Sequence, residues 1–281
     1  MLSPALLDPI IDRALAEDLA GGDLTSELTV DADTRARAVA VARTNLIVCG
    51  GSVFARVFER VDPSVSVTLH EPEGTRVESG RELWSVQGPA RSLLSAERTA
   101  LNFVQRMSGI ATHARTYVEA LPPGSSTIIT DTRKTTPGLR VLERYAVRIG
   151  GAHSHRDNLG SAVLIKDNHV VAAGGIRQAV ERARKGAPHT SRIEVEVQNS
   201  DELEIALEAK ADIILLDNFP LDALAAAVRR ASGRAILEAS GGITLQSIGK
   251  VASTGVDVIS VGALTHSAPA ADIALDLDLI S

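Results

Sequence analysis

The chain has 281 residues, 44% of them hydrophobic, enough to fill one large domain or two ordinary ones, which excludes a disordered segment and a stapled mini-fold. Lys and Arg number 29 against 35 Asp and Glu, a formal charge of −6, and aromatics are 2%, so there is neither the basic field nor the stacking rings of a nucleic-acid binder. The one cysteine, Cys49, sits in an apolar run and cannot close an internal disulfide; no stretch nears roughly eighteen uninterrupted apolar residues and the acidic N-terminus is no leader, so the expectation is a cytoplasmic protein with no membrane contact.

Ser3 and Pro4 suit the start of a helix in which Leu6, Leu7, Ile10, Ile11, Ala14 and Leu15 recur at helical spacing, and Gly21-Gly22 stops it. From about Ala36 to Val86 the period drops to two, as in Val39/Val41 and Val65/Val67/Leu69, with turn signals at Gly50-Gly51, Asp62-Pro63, Gly74 and Gly80. This predicts a small sheet. The run Glu73 to Val86 has the hairpin look of a lipoyl or biotin carrier, but no lysine precedes Lys134 to carry such a group. Ser92 or Ser95 opens a long amphipathic helix through Leu101, Val104 and Met107, with an interruption expected at Gly109 and an end before Pro122-Pro123-Gly124. The expected domains are 1–108 and 109–281.

After residue 125 short apolar runs alternate with helical patterns. The runs are Ile128-Ile129, Val163 to Ile165, Ile193 to Val197, Ile213 to Leu216, Ala235 to Leu237 and Val256 to Val261. The helical patterns are Gly138 to Ile149, Ile176 to Lys185, Ser200 to Lys210, Leu221 to Arg230 and Thr244 to Ser253. Strand–helix alternation predicts a parallel sheet covered by helices, and six strands leave an incomplete barrel and an open doubly wound sheet both available.

Nearly every run ends in charge, hydroxyl or glycine: Asp131-Thr132-Arg133-Lys134, Lys166-Asp-Asn-His169, Glu196, Asp217-Asn218, Glu238-Ala-Ser240-Gly241-Gly242 and Gly262-Ala-Leu-Thr-His266. Carboxyl ends of parallel strands form the ligand face of such folds, so these residues are expected to share one site. From Asp131 to Asp157 six basic residues face three acidic ones, a local +3 that fits a small polyanion. Arg140, Arg144 and Arg148, spaced by four, read as a solvated helical face, whereas Arg133, Lys134, Arg156 and Lys166 sit at strand ends or loops. Glycines after the last two strands can cradle a phosphate. His153-x-His155 with His169, Lys166 and Asp217 suggests a metal hydrolase, but the pair follows a helix and Arg156 would repel a dication.

The ordered blocks Glu17 to Thr25, Glu97 to Asn102, Ser108 to Thr112, Asp131 to Gly138, His155-Arg156, Leu164 to His169, Glu194-Val-Glu196, Leu215 to Phe219, Glu238 to Ile243 and Gly255 to Ser267 resemble the quinolinate phosphoribosyltransferase family over nearly the whole chain. The resemblance implies an N-terminal α/β sandwich followed by an open, irregular, incomplete α/β barrel of the type II phosphoribosyltransferase kind. It implies transfer of phosphoribosyl from phosphoribosyl pyrophosphate to quinolinate with Mg²⁺, giving nicotinate mononucleotide, CO2 and pyrophosphate. It further implies a homodimer in which Arg98 reaches the partner's site. Carried over by matching motif, Arg98, Thr132, Arg133, Lys134, His155, Arg156 and Lys166 surround the quinolinate carboxylates and the pyrophosphate. Glu196 and Asp217 hold ribose hydroxyls and the magnesium shell, the metal being bound mainly through pyrophosphate and water. Ser240, Gly241, Gly242, Val261, Gly262 and Ala263 cradle the 5-phosphate, with His266 beside the substrate; the catalytic set is Lys134, Lys166, Glu196 and Asp217.

One loop departs from the family pattern: Gly150-Gly-Ala152-His-Ser154-His-Arg156 stands where the family has a third glycine and an asparagine. Rival readings are a Schiff-base lyase using Lys166, a related phosphoribosyltransferase paralogue with another acceptor, and a scaffold that binds a phosphorylated metabolite without turnover.

Overall fold

The computed structural model describes residues 2–280; Met1 and Ser281, the outer bounds of the two expected domains, lie outside the described residues. The described chain forms two compact units interleaved in sequence. The first comprises residues up to Arg115, Thr135–Gly151 and those from Thr265 on; the second comprises Thr116–Lys134 and Ala152–Leu264.

In the first unit, helix Pro4–Asp18 buries Leu7, Ile11 and Leu15, one stripe at a spacing of four. A four-stranded antiparallel sheet runs in the order Ile273–Ile280, Arg35–Ala42, Glu82–Pro89, Ser66–Leu69. The period-two reading of the first half holds, but the alanines Ala36, Ala38, Ala40 and Ala42 are the buried set while Val39 and Val41 are half-buried. The partner strand explains this: Trp84 lies opposite Ala40 and Val86 opposite Ala38, so small residues face large ones. Within the stretch read as sheet, Gly51–Val61 is a helix that buries Val53, Phe54, Val57 and Phe58, with Phe54 5.0 Å from the Trp84 ring.

The long helix Ala90–Glu119 is continuous through Gly109, contrary to the expected interruption. A Cβ at Gly109 would lie 2.0 Å from the carbonyl oxygen of Pro269 and 3.0 Å from Ala270 Cα. The glycine is there because a second backbone crosses the helix, so it carries no break. The expected solvated face of helix Arg140–Ile149 is also corrected in part: Arg148 is exposed, but Arg144 is only 3% exposed, beside the buried Glu143 that accepts from Arg106 Nη2 at 2.9 Å. The C-terminal strand Ile273–Ile280 has no counterpart in the sequence reading.

The second unit holds a six-stranded parallel sheet in the order Ile128–Thr130, Val258–Ser260, Ile236–Ser240, Ile213–Asp217, Ile193–Val197, Val163–Ile165. Among the described residues no ladder joins the first strand to the last, so the barrel is open. All six predicted strands are present, with helices such as Ile176–Gly186, Ser200–Glu208 and Leu221–Ala231 between them. Register and alternation divide the side chains into two faces. Ile129, Ile165, Ile193, Val195, Val197, Ile214, Leu216, Leu237, Ala239 and Ile259 share one face and are buried. The opposite face carries Thr130, Lys166, Glu194, Glu196, Asp217, Glu238, Ser240 and Ser260 among apolar residues that include Leu164, Ile213, Leu215, Ile236 and Val258. A strand buried on both faces is ordinarily apolar throughout, so this inner face is built for something other than packing.

Gly109→Ala is expected to destabilise the protein by about 1–3 kcal/mol in urea unfolding, because displaced backbone outweighs the ~1 kcal/mol that alanine gains over glycine in a helix. A variant as stable as the wild type would show that the crossing backbone yields freely.

Candidate active site

Because the strands are parallel, their carboxyl ends meet on one rim. Lys166, following Val163–Ile165, turns its Nζ to Glu196 Oε2 on the neighbouring strand at 2.8 Å; the lysine side chain is 46% exposed and the glutamate 12%. Asp217 ends the next strand, level with Ser240 in the register, and accepts from Asn218 Nδ2 at 2.9 Å. Asn218 has a φ of +57°, and its N–H donates to Ser240 O at 2.9 Å. This brings Asn218 Oδ1 to 2.2 Å from where a Cβ would stand at Gly241, whose φ is +92°. Only glycine fits there, and the Ser240–Gly242 turn is held open by that constraint.

The loop carrying His155 runs beside the first strand as an added parallel segment. His153 N–H donates to Ile129 O at 2.8 Å, Asp131 N–H to His153 O at 3.1 Å, and His155 N–H to Asp131 Oδ1 at 2.8 Å. Asp131 is fully buried, so its carboxylate ties the two motifs together from within. Val261 N–H reaches Thr130 O at 2.9 Å from the other side, placing Val261 to Ala263 on the same rim. Thr132 Oγ1 accepts from the N–H of the exposed Lys134 at 3.1 Å. Ala152 is buried and keeps an ordinary negative φ, so a methyl group in place of the third glycine strains nothing.

Beneath the rim lies a cluster whose grouping the sequence reading did not foresee, although His155 and Glu238 were each expected at the site. His155 Nε2 is 3.4 Å from Glu194 Oε2 and 3.6 Å from Glu238 Oε1, and each glutamate is only 4% exposed. The signal was present: both glutamates interrupt apolar strands at inward positions. Burial is the largest influence on His155 and opposes its charge, but Glu194 and Glu238 together raise it above the usual histidine range. Burial and the adjacent Glu194 push the Glu238 carboxyl up to about 7. For Arg156, burial and then the like charge of Arg133 pull downward while Glu194 supports it, which puts Arg133, Arg156 and Glu194 in one electrostatic neighbourhood.

The second unit thus gathers Thr132, Arg133, Lys134, His155, Arg156, Lys166, Glu196, Asp217, Ser240 to Gly242 and Val261 to Ala263 at or beside one rim. His153 is exposed and is not part of the His155 cluster; among the described residues the metal-ligand grouping of the hydrolase reading, with His169 and Asp217, does not form. Arg98 and His266 belong to the first unit. There Arg98 lines a cavity of about 540 Å³ with Arg13, Glu17, Asn102, Arg106 and Glu143, and exposed His266 Nδ1 lies 2.7 Å from Ser267 Oγ.

Family models described as Quinolinate phosphoribosyl transferase, N-terminal domain, and Quinolinate phosphoribosyl transferase, C-terminal domain, match residues 23–108 and 110–276. The chain is 44% identical over 286 residues to a nicotinate-nucleotide pyrophosphorylase [carboxylating] of Mycobacterium leprae, covering 99% of this chain and all of that one. It is 41% identical over 273 residues to a probable nicotinate-nucleotide pyrophosphorylase [carboxylating] of Bacillus subtilis, covering 97% and 94%. A crystal structure of NadC from Streptococcus pyogenes superposes with a TM-score of 0.96 at 38% identity, over 100% of this chain and 99% of that one. The α/β sandwich and open-barrel architecture is the one these relatives share.

The raised Glu238 carboxyl binds its proton more tightly in the folded protein than in the unfolded chain. That contribution is therefore full below its ordinary value of 4.5 and is lost as pH climbs to about 7. Glu238→Gln is expected to flatten this decline and to be more stable than wild type by about 2 kcal/mol in urea unfolding near pH 8, where the native carboxylate is charged and buried. An unchanged pH slope would mean that Glu238 is ionised throughout.

Proposed function

Since the chain belongs to the quinolinate phosphoribosyltransferase family, we propose that it transfers phosphoribosyl from phosphoribosyl pyrophosphate to quinolinate with loss of CO2, yielding nicotinate mononucleotide and pyrophosphate for NAD biosynthesis. The observation that carries this reading is the rim itself: cations and inward carboxylates converge at the carboxyl ends of one parallel sheet, beside a glycine turn open to a phosphate. Quinolinate brings two carboxylates and phosphoribosyl pyrophosphate three phosphoryl groups. Only a pocket rich in fixed positive charge can hold both against their repulsion.

In this reading Arg133, Lys134, Arg156 and Lys166 take the quinolinate carboxylates and the pyrophosphate, the guanidinium forks pairing with carboxylates and the ammonium groups acting as point charges. Ser240 to Gly242 and Val261 to Ala263 receive the 5-phosphate on backbone N–H groups. Breaking the C1–pyrophosphate bond leaves positive charge on the ribose, which Glu196 and Asp217 face, and negative charge on the leaving group, which the lysines face. No side-chain nucleophile is required. Ribosylation then makes the pyridine nitrogen cationic, and that charge absorbs the electron pair left on the ring carbon when CO2 departs.

Glu196, next to the end of its strand, and Asp217, at the end of the adjacent one, offer oxygen donors, which suits Mg²⁺. They would hold it through its water shell, where it supplies neutralising charge for the pyrophosphate. The same reading has a homodimer with Arg98 serving the partner's site, and a cytoplasmic setting that accords with the buried free thiol of Cys49. Among the described residues no helix is long and apolar enough to cross a membrane.

Incubation with quinolinate, phosphoribosyl pyrophosphate and Mg²⁺ is expected to release CO2 and form the mononucleotide, and chelation of the metal to stop it; absence of product at high enzyme concentration would defeat the reading. Lys166→Ala is expected to lower kcat by about 10²–10³. Mixed with Arg98→Ala under proven subunit exchange, it should recover about a quarter of wild-type activity, since half the dimers then hold one intact site of two. No recovery would confine Arg98 to its own subunit.

A further inference from the structure

The chain passes from the second unit to the first after Lys134 and again after Leu264, and each passage follows directly on a stretch proposed above to receive substrate, Arg133-Lys134 and Val261 to Ala263. Just past both passages the main chain is held by one buried ion pair. Glu143, 1% exposed, accepts through Oε1 from Arg106 Nε at 3.1 Å and Nη2 at 2.9 Å, and its Oε2 accepts the Thr136 N–H at 3.1 Å. Arg106 also donates to main-chain carbonyls, Nη2 to Thr265 O at 2.6 Å and Nη1 to Ala268 O at 3.0 Å. We infer that Arg106 and Glu143 are positioning residues for phosphoribosyl transfer: the pair joins the main chain past Lys134 to the main chain past Ala263, and so fixes the points from which the cationic loop and the 5-phosphate cradle start. The inference rests on the function proposed above.

Both held segments are docked on regular structure by further bonds. Arg106 lies within the helix Ala90–Glu119, and on the same helix Gln105 O accepts the Ala271 N–H at 2.9 Å while Gln105 Nε2 donates to Ile273 O at 2.7 Å. Gly109, one turn on, leaves room for the carbonyl of Pro269. Residues 265–273 are therefore strapped along the helix, with Arg106 at the head of the strap. The other segment docks on Arg140–Ile149, the helix that carries Glu143: Thr135 Oγ1 accepts from Arg140 Nε at 2.9 Å, one residue before the Thr136 bond. Two helices thus meet through the ion pair, and each brings one segment with it.

Stability alone gives little reason for the pair, since apolar side chains of the same volume would cost nothing to desolvate. What the ions supply is direction. Arginine's planar fork reaches a carboxylate and two carbonyls at once, and the second carboxylate oxygen is left for Thr136. Four bonds of the guanidinium are taken up by the protein and Glu143 cancels its charge at contact, so Arg106 acts as a brace and does not receive an anion as Arg133 and Lys134 do.

The test removes the pair without stranding a charge, by combining Arg106→Met with Glu143→Gln. This double variant is expected to raise KM for phosphoribosyl pyrophosphate about tenfold. A merely structural role would lower the amount of active enzyme, read as a fall in kcat with both KM values intact, and that result would overturn the inference. Arg106→Lys keeps a cation opposite Glu143, and with it the Thr136 bond, but one ammonium cannot also span both carbonyls. It should raise KM for phosphoribosyl pyrophosphate about fivefold and leave KM for quinolinate within about twofold; should the double variant fail to fold, this variant decides, and an unchanged KM for phosphoribosyl pyrophosphate overturns the inference. Hydrogen exchange of the resting protein provides an arm independent of turnover. Faster exchange over residues 265–271 in either variant, with Ile213–Asp217 as in wild type, supports the brace; unchanged exchange, or acceleration spread equally to that strand, overturns it. If wild-type enzyme shows no turnover, the functional reading fails on that assay, whereas exchange still reports on the brace.

Discussion

The constraint on which the second unit depends is that charge placed on the inner face of a parallel sheet must be compensated inside the fold. Side chains in register across parallel strands all point the same way, so a sheet that turns one face to packing helices commits its other face as a set. Here the packing face is Ile, Val, Leu and Ala, and the inner face sets carboxylate, hydroxyl and ammonium groups among apolar residues such as Leu215 and Leu164. An isolated ion there would cost several kcal/mol to desolvate. The structure instead arranges the charges in partnerships: Lys166 with Glu196 at the rim, His155 with Glu194 and Glu238 below it, and Asp131 with the His155 main chain.

Those partnerships also explain the geometry of the loops. The segment at His153 to His155 adds itself to the open edge at Ile128–Thr130 through backbone bonds, a substitute for the ladder a closed barrel would have there. At the far end of the sheet, Val163–Ile165 leads directly into Lys166 and a short exposed helix, Asp167–Ala173. Asn218 pays for its left-handed backbone by reaching the neighbouring turn, and Gly241 is the vacancy it needs. Rim residues are thus positioned by strand register and by backbone bonds between neighbouring loops more than by contacts among the functional side chains themselves.

Much of this was legible in the sequence because strand alternation leaves a mark that tertiary packing seldom erases. Short apolar runs located all six parallel strands, and the residue at each run's end located the rim. What escaped has physical reasons. Gly109 reads as a helix breaker locally, and only the crossing of Pro269 shows why it is tolerated. The helix Gly51–Val61 lay inside a stretch dominated by period-two signals, although Val53, Phe54, Val57 and Phe58 carry its spacing. Ile273–Ile280 alternates plainly, but its partner strand is more than 230 residues away at Arg35–Ala42, beyond any local argument. Arg144 keeps the periodicity of a solvated face while being buried, since a spacing of four cannot say which side of a helix meets protein. Glu194 fell between readings, too far inside its strand to look like loop chemistry and too polar to be core, and Glu238, read as a strand-end residue, gave no sign of its pairing with His155.

The two levels of charge pairing differ in what they permit. An ion pair whose lysine is nearly half exposed contributes little net stability, because water competes for both partners. Opening the Lys166–Glu196 contact therefore costs little. The deeper trio is more enclosed, its imidazole 13% exposed and its glutamate side chains 5%, so withdrawing the imidazole would leave two carboxyls in a medium of low polarity. A site built this way separates its tasks by depth. The exposed pair lies at the rim, and the enclosed cluster lies beneath it. Preorganised charge of that kind stabilises a transition state without the reorganisation that water would require.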